Sequence, residues 1–188
     1  TSLFPLNAPV YKHLEELFIN LENILASESS LCYDYEYDRI ICFGELISTT
    51  IISDYLKMEG IENQFIDIRK FLKTDQNYRN ANIDLELSEQ LCKEAFDFNT
   101  SSTFVTQGFI AGTRTNQTTT LGREGSDYTA ALLANLRNAE NVTIWKDVPG
   151  VMNADPKEYE KAQVISRMSY KEAIELSHSG QKSFIRKP

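Results

Sequence analysis

The sequence is poor in the residues that build disulfide frameworks and metal sites. Its 188 residues include 3 Cys and 2 His. They are spread along the chain, in neither a disulfide pattern nor a zinc-binding pattern, as Cys32, Cys42, Cys92, His13 and His178. This shortage excludes a disulfide-stapled fold, and it predicts that no metal is bound by protein side chains. It also favours a reducing, cytoplasmic compartment.

Long apolar runs and an excess of positive charge are also missing. No run approaches the roughly 20 apolar residues of a membrane-spanning helix, and the first residues lack the basic and apolar segments of a signal peptide. The formal net charge is −8, which excludes a broad electropositive surface for nucleic acid. We therefore expect neither a membrane nor a nucleic acid as partner. Backbone N–H groups and a few lysines still suffice to bind a small polyanion such as a nucleotide.

The length predicts one domain, or a large piece of one, and alternating helix and strand patterns predict the α/β class. Hydrophobic residues make up 41% of the chain, which allows a buried core. Periodicity predicts helices over residues 11–26, 45–60, 86–96, 126–139 and 169–180, and strands over 39–43, 64–68, 103–110 and 142–146. The polar residues 69–84 have no clear period and are interpreted as a surface excursion. The alternation favours a mostly parallel sheet, with ligands beyond the carboxyl ends of its strands, after Phe43, Phe109 and Trp145.

The stretch GREGSDYTAALLA (122–134) has the composition of an anion-binding turn. Gly122 and Gly125 let the backbone approach a ligand, and the helix that follows Gly125 attracts an anion to its free N–H groups. Arg123 offers a planar fork for a carboxylate, while Asp127 can hold an ammonium group. This pair therefore suits a zwitterion, that is, an amino acid. A glycine turn capped by Ser126, with Arg123 and Asp127 in solvent, is the alternative.

Two other strand ends carry acidic residues. Asp147 follows the predicted strand 142–146 and precedes a Pro-Gly turn, as expected for a nucleotide pocket at a strand end. Glu45 follows Gly44, where the predicted strand 39–43 ends. The pattern around Asp147 also suits an ordinary surface loop with turn-forming residues. Glu45 also suits an acidic residue that is merely favourable in the first turn of a helix.

Five stretches taken together resemble the aspartokinases of the amino-acid kinase family. They are GELIST (44–49), VTQGFI (105–110), TTTLGREGSDYTAALLA (118–134), WKDVPGVMNADP (145–156) and SYKEAIELSHSGQK (169–182). The third stretch is highly specific to aspartokinases among related kinases. The resemblance implies a three-layer αβα sandwich around a mainly parallel sheet. It also implies transfer of the γ-phosphoryl group of ATP to the side-chain carboxylate of L-aspartate, which starts lysine, threonine and methionine synthesis.

The same resemblance implies which residues bind each substrate. Aspartate would be surrounded by Glu45, Phe109, Arg123, Gly125, Ser126 and Asp127. The ATP pocket would be lined by Lys146, Asp147, Met152, Lys157 and Lys182. Asp127 and Lys182 would have catalytic roles. Mg²⁺ would arrive with ATP, held mostly by phosphates and water. Because the nucleophile is a carboxylate that is ionised at neutral pH, the reaction needs alignment and charge neutralisation rather than a general base.

The sequence departs from the aspartokinase pattern at both ends and at three positions. Family members open with a Lys-Phe-Gly-Gly-Thr-Ser strand, so residues 1–188 are interpreted as a catalytic domain without that strand and without the regulatory ACT domains. Lys182 fits either of two family segments, or an ordinary surface lysine. Glu124 stands where many members have Gly, Lys146 where many have Thr, and Lys157 where Arg is frequent.

Three readings remain open at this point. The leading one is an aspartokinase catalytic domain, whose full-length protein we expect to be a homo-oligomer. The second is the kinase part of a bifunctional aspartokinase–homoserine dehydrogenase. The third is a binding module that keeps the pocket but lacks turnover, because the opening lysine motif is missing.

Overall fold

The computed structural model describes residues 3–146, 150–154 and 158–178. They fall into two compact units, Thr1–Asn141 and Val142–Pro188. The first unit contains α1 (Val10–Ala26), α2 (Tyr33–Met58), β1 (Gln64–Ile66), a short 3₁₀ helix (Ile68–Lys70), β2 (Lys73–Thr74), α3 (Leu85–Ala95), β3 (Phe104–Thr106), β4 (Ile110–Thr113), β5 (Thr118–Thr120) and α4 (Gly125–Leu136). The second unit contains α5 (Tyr170–His178). No helix within the described ranges is long and apolar enough to cross a membrane.

Parallel pairing dominates the strands of the first unit. β1 pairs with β3 in parallel, with Phe65 opposite Val105. β2 pairs with β4 in parallel, whereas β4 and β5 are antiparallel neighbours, with Ala111 opposite Thr119. The crossovers between the parallel partners contain helical segments, as parallel pairing requires. The α/β class expected from the sequence is therefore confirmed.

The predicted strand 39–43 is wrong, because these residues lie inside the 26-residue helix α2. No loop follows Phe43, and β4 begins directly after Phe109, because a turn at residues 107–109 interrupts the predicted strand 103–110. Two of the three predicted ligand loops are therefore not where the sequence placed them. The buried residues of α2 follow helical spacing: Asp38, Cys42, Phe43, Leu46, Thr49, Thr50 and Ser53. A short apolar run such as RIICF fits a buried strand and one face of a helix equally well.

Three other segments also differ from the sequence-based expectation. Residues 69–84 are not only a surface excursion, since Leu72 is fully buried and β2 lies within them. β5 forms in the Thr run, where Thr74 and Thr119 hydroxyls share a buried hydrogen bond of 2.7 Å. Residues 142–146 form no strand, and Trp145 is 89% exposed. Strands of two or three residues are too short to show a period of their own.

The core of the first unit joins α2, α3 and α4 to the strands. Its buried members are Cys42, Phe43, Leu46, Ile66, Ile68, Leu72, Cys92, Phe96, Ile110, Ala111, Leu121, Leu132 and Leu136. Leu17, Leu21 and Ile24 of α1 pack against this cluster at the spacing of one helix face. In the second unit, Ser169 and Glu172 form a capping box, since the Ser169 N–H and hydroxyl donate to the Glu172 carboxylate at 2.8 and 2.7 Å.

Candidate active site

The turn between β3 and β4 lies directly against the beginning of α4. A Cβ added to Gly108 would lie 2.9 Å from the Cα of Ser126. A Cβ added to Gly125 would lie 2.8 Å from the Phe109 ring. Real Cβ atoms do not come this close to other heavy atoms, so both glycines are required for the contact. The structure thus brings together Phe109, Gly125 and Ser126, three of the residues expected to surround the amino acid.

Phe109 has a left-handed backbone, with φ at +68°. A bulky side chain rarely adopts this conformation, which persists only where neighbouring contacts enforce it. The Phe109 N–H donates to Thr129 Oγ1 at 3.1 Å, and the Phe109 carbonyl accepts from the Leu121 N–H at 2.8 Å. The Thr129 hydroxyl in turn donates to the Gly125 carbonyl at 2.8 Å. The backbone of Phe109 is therefore held from both sides.

The first turn of α4 carries the charged residues of the GREGSDYT stretch. Glu124 is the N-cap, with φ at +57° and no capping hydrogen bond from its side chain. Arg123 is 83% exposed and lies 3.9 Å from Glu124, measured from Nε to Oε1. Ser126 is exposed and Asp127 is half-buried. The positive end of the helix dipole makes this end of a 12-residue helix suitable for an anion.

Glu45 lies in the middle of α2 rather than at a strand end, and it is half-buried. Burial raises the pKa of its carboxyl. The Glu45 carbonyl accepts from the Thr49 hydroxyl at 2.7 Å, and Thr49 Oγ1 accepts from Gln107 Nε2 at 2.9 Å. Gln107 stands two residues before Phe109. This chain of bonds places Glu45 on the part of α2 that faces the β3–β4 turn.

Two residues that hold this site were not identified from the sequence. Gln107 is 1% exposed, and its Oε1 also accepts from the Ile68 N–H at 3.0 Å, so it ties β3 to the 3₁₀ helix. Thr129 is 2% exposed and fixes Phe109. Both are polar residues within the aspartokinase-like stretches, at a strand end and four residues after Gly125. Their burial is the missing signal, because it depends on tertiary packing.

The groove between α1 and α2 contains two cavities that do not include the predicted site residues. They measure about 440 and 370 Å³ and share the lining residues Leu17, Asn20, Leu46 and Arg69. Arg69 holds Asp67 through two bonds, Nε to Oδ1 at 2.9 Å and Nη2 to Oδ2 at 2.7 Å. Burial opposes ionisation of Asp67, but the hydrogen bonds and charge of Arg69 outweigh it, so the pKa of Asp67 is lowered.

Two of the residues predicted to bind ATP, Lys146 and Met152, are described in the second unit. Lys146 is exposed and has no regular secondary structure. Met152 forms an antiparallel bridge with Val164, supported by the Ile165 N–H, which donates to the Val151 carbonyl at 2.7 Å. The predictions for Asp147, Lys157 and Lys182 lie outside the described residues.

Comparison with protein families decides the assignment of the chain. The model of the amino acid kinase family matches residues 7–187. The chain belongs to the amino acid kinase family. It is 37% identical over 172 residues to lysine-sensitive aspartokinase 3 of Escherichia coli (strain K12), covering 89% of this chain and 38% of that protein. It is 38% identical to a chloroplastic bifunctional aspartokinase/homoserine dehydrogenase 2 of Arabidopsis thaliana, covering 76% of this chain and 16% of that protein.

Solved structures give the same family and fold. Aspartokinase III of E. coli in complex with lysine and aspartate superimposes with a TM-score of 0.77 at 32% identity, over 87% of this chain and 37% of that chain. The complex of that enzyme with aspartate and ADP gives a TM-score of 0.76, over 84% of this chain and 35% of that chain. The chain thus spans less than two fifths of the length of these relatives. The likeness confirms the expected α/β fold of an amino-acid kinase.

Proposed function

We propose that the chain belongs to an aspartate kinase that transfers the γ-phosphoryl group of ATP to the side-chain carboxylate of L-aspartate. The product would be 4-phospho-L-aspartate, the first intermediate in lysine, threonine and methionine synthesis. The observation that carries the proposal is the contact between the Phe109 turn and the beginning of α4, where Arg123 and Asp127 stand about one helical turn apart beside a strained backbone. The complex of the related E. coli enzyme with aspartate and ADP supports it.

Arg123 would bind the α-carboxylate of the substrate, and Asp127 would hold its α-ammonium group or orient a catalytic lysine. An arginine fork matches the two oxygens of a carboxylate, and the adjacent N–H groups of α4 add to the same attraction. Gly125 and Ser126 would let the substrate approach the helix backbone. Phe109 and Glu45 would complete the walls on the sides of the β3–β4 turn and of α2.

ATP would be bound by Lys146, Asp147, Met152, Lys157 and Lys182, with Mg²⁺ carried by its phosphates. Cationic side chains neutralise the negative charge on the oxygens of the phosphoryl group while it is transferred. No general base is needed, because the attacking carboxylate is ionised above a pH of about 4. The catalytic contribution would therefore come from alignment of the two substrates and from lysine charges, including Lys182. We also propose that the full-length protein is a homo-oligomer and lies in the cytoplasm.

The proposal is tested with the full-length protein expressed from the gene that encodes this chain. ADP release is followed with and without L-aspartate in the presence of Mg²⁺, and the acyl phosphate is trapped with hydroxylamine. We expect aspartate-dependent ADP release that stops when EDTA is added, and a hydroxamate product. L-Glutamate serves as the control substrate, since its carboxylate lies one methylene further from the α-carbon. Aspartate binding by calorimetry without any turnover would favour the non-catalytic module instead.

The kinase part of a bifunctional aspartokinase–homoserine dehydrogenase is the second candidate. It is favoured by the 38% identity to the bifunctional enzyme of Arabidopsis thaliana. The two candidates share the same kinase site and differ in the downstream part of the gene, which would encode a dehydrogenase only in the second. If the full-length protein oxidises homoserine with a nicotinamide cofactor, it is a bifunctional enzyme. If it has kinase activity but no homoserine oxidation, it is a monofunctional aspartate kinase.

A further inference from the structure

Asp38 is a fully buried carboxylate of α2 that has no place among the proposed substrate contacts. Its Oδ2 accepts from the backbone N–H groups of Thr120 and Arg79, both at 2.8 Å. Its Oδ1 accepts from the Thr120 hydroxyl at 2.7 Å. The guanidinium of Arg79 pairs with Asp34 instead, at 3.1 Å. Asp38 is therefore stabilised by three neutral donors, two of which come from β5.

These bonds fix the segment that leads to Arg123. The Thr120 carbonyl accepts from the Ala81 N–H at 3.0 Å, so residue 120 is held on both sides of its backbone. The loop before Ala81 also reaches Gly122, whose φ is +75°. A Cβ added to Gly122 would lie 2.9 Å from Asn80 Oδ1 and 3.0 Å from the Arg79 carbonyl. The backbone immediately before Arg123 thus has little freedom to shift.

Asp38 and Glu45 lie on nearly the same face of α2. Seven residues make about two turns of a helix and about 10 Å along its axis. One rigid helix therefore carries Glu45 and also the carboxylate that anchors β5, the strand that leads to Arg123. A change in the Asp38 bonds would alter the distance between Glu45 and Arg123 without altering either side chain.

We propose that Asp38 is a positioning residue for the amino-acid substrate. Its buried carboxylate sets the spacing between Glu45 on α2 and Arg123 before α4, and through that spacing the affinity for aspartate. The proposal rests on the proposed aspartate kinase function. A carboxylate suits this position because both of its oxygens are acceptors, and the three donors converge on them. Asparagine can keep the two N–H bonds through its oxygen, while its amide donates to a rotated Thr120 hydroxyl.

The test compares Asp38→Ala and Asp38→Asn in the full-length protein by steady-state kinetics with aspartate and with Mg-ATP. We expect Asp38→Ala to raise the KM for aspartate about 10-fold or more, because three donors lose their acceptor and β5 shifts. The KM for ATP should stay within about twofold, since the donors to Asp38 belong to Thr120 and Arg79, which are not among the proposed ATP-binding residues. Asp38→Asn should restore most of the affinity.

A matched control removes another buried polar bond from the same helix. Ser53 donates to Asn63 Oδ1 at 2.6 Å and is 1% exposed. Ser53→Ala should lower the Tm while leaving the KM for aspartate unchanged. If Asp38→Ala does not fold, Thr120→Val, which deletes the hydroxyl bond alone, should still raise that KM severalfold.

Two failures can be told apart. If the wild-type protein does not phosphorylate aspartate, the proposed function falls. If the wild type is active but Asp38→Ala and Thr120→Val lower only the Tm or the kcat, with both KM values unchanged, Asp38 is merely structural and the inference is overturned.

Discussion

The hydroxyl of Thr129 accepts the backbone N–H of Phe109 at 3.1 Å, and this bond holds Phe109 in a left-handed conformation. Thr129→Val keeps the shape of the side chain but removes the acceptor. A buried N–H without a partner costs about 1–3 kcal/mol, and the strained turn can then relax. We expect the free energy of unfolding to fall by that amount and the KM for aspartate to rise several-fold. Chemical denaturation and steady-state kinetics measure the two effects.

Ser88→Ala is the matched control for the Thr129 variant. Ser88 is also a buried helix hydroxyl that accepts a backbone N–H, from Lys73 at 2.9 Å. It lies on α3 and has no bond to the β3–β4 turn. Its loss should destabilise the protein to a similar extent without changing the KM for aspartate. An equal KM in the wild type and Thr129→Val would show that the Phe109 backbone does not matter for binding.

Arg123 is the residue on which the proposed recognition of aspartate depends. Its side chain is 83% exposed, so Arg123→Ala should have little effect on stability. Loss of a charged contact of about 3 kcal/mol weakens binding about 100-fold. We therefore expect the KM for aspartate to rise by up to two orders of magnitude. Titration of aspartate by calorimetry would give the same loss independently of turnover.

Arg114→Ala is the control for charge in general. Arg114 is 72% exposed and pairs with Asp84, which is the N-cap of α3. Removing it changes the net charge by the same amount as Arg123→Ala but touches none of the proposed site residues. The KM for aspartate should be unchanged. A similar rise in both variants would mean that long-range charge, and not a contact with Arg123, governs the affinity.

The local part of this site can be predicted from the sequence, and the part that depends on packing cannot. Glycines at 122 and 125 in front of an apolar helix predict a close approach, and the structure has that approach at Gly125, against Phe109. The beginning of the helix, at residue 125, is also predicted within one residue. These features depend on neighbours in the chain, whose effects can be judged from spacing alone.

Longer-range features require the three-dimensional structure. The segment RIICF lies in α2 because Cys42, Phe43 and Leu46 share a face that the core covers, and a five-residue window does not contain that information. The burial of Gln107 and Thr129 is likewise set by elements far along the chain. Polar residues with internal partners look the same in sequence as polar residues in solvent.

Replacing Glu45 with Gln should raise the stability of the protein at pH 7 and lower its activity. Burial raises its pKa in the folded state above the unfolded value of about 4.3. The ionised form is therefore the less favoured one in the folded protein, so stability falls as pH rises through the unfolded and then the folded pKa. Glu45→Gln should match the wild type below about pH 4 and exceed it at pH 7 by roughly a few tenths of a kcal/mol, because the carboxyl is only half-buried.

Activity should change in the opposite direction. If Glu45 faces bound aspartate, Glu45→Gln lowers kcat/KM while the Tm rises slightly at pH 7. Thermal scans at pH 4 and pH 7, with kinetics on the same samples, separate the two effects. A Tm difference that does not vary with pH would remove the burial argument. Unchanged kinetics would remove Glu45 from the proposed site.

The Asp67–Arg69 pair should make part of the stability sensitive to acid. Arg69 lowers the pKa of Asp67 in the folded state, against the effect of burial. The stability that this pair contributes is therefore complete above the unfolded pKa of Asp67, about 3.9, and is lost as the pH falls through the lower folded pKa. Arg69→Met at pH 7 deprives a partly buried carboxylate of its guanidinium partner and should cost about 1–3 kcal/mol.

A double-mutant cycle with Asp67→Asn isolates that pair. Urea denaturation at pH 7 should show Asp67→Asn/Arg69→Met to be less destabilised than the sum of the single variants, by about 1 kcal/mol. The coupling should be smaller in a second cycle at pH 3, because a lower pH favours the protonated form of Asp67, which carries no charge for Arg69 to attract. A coupling that is equal at both pH values would mean that neutral hydrogen bonds, and not charge, hold the two side chains together.

Glu124 occupies a backbone conformation that suits glycine better. Its φ is +57°, and a side chain in that region costs about 1–2 kcal/mol. Glu124→Gly removes this strain but adds flexibility to the unfolded chain, so we expect a net gain of up to about 1 kcal/mol in stability.

Glu124→Gly also removes a negative charge 3.9 Å from Arg123, where the substrate carboxylate would bind. The KM for aspartate should therefore fall about two- to threefold, and less so at high salt. Glu124→Gln, which removes the charge but keeps the side chain, should reproduce the change in KM without the gain in stability. A KM that rises in both variants would show that Glu124 supports the binding of aspartate.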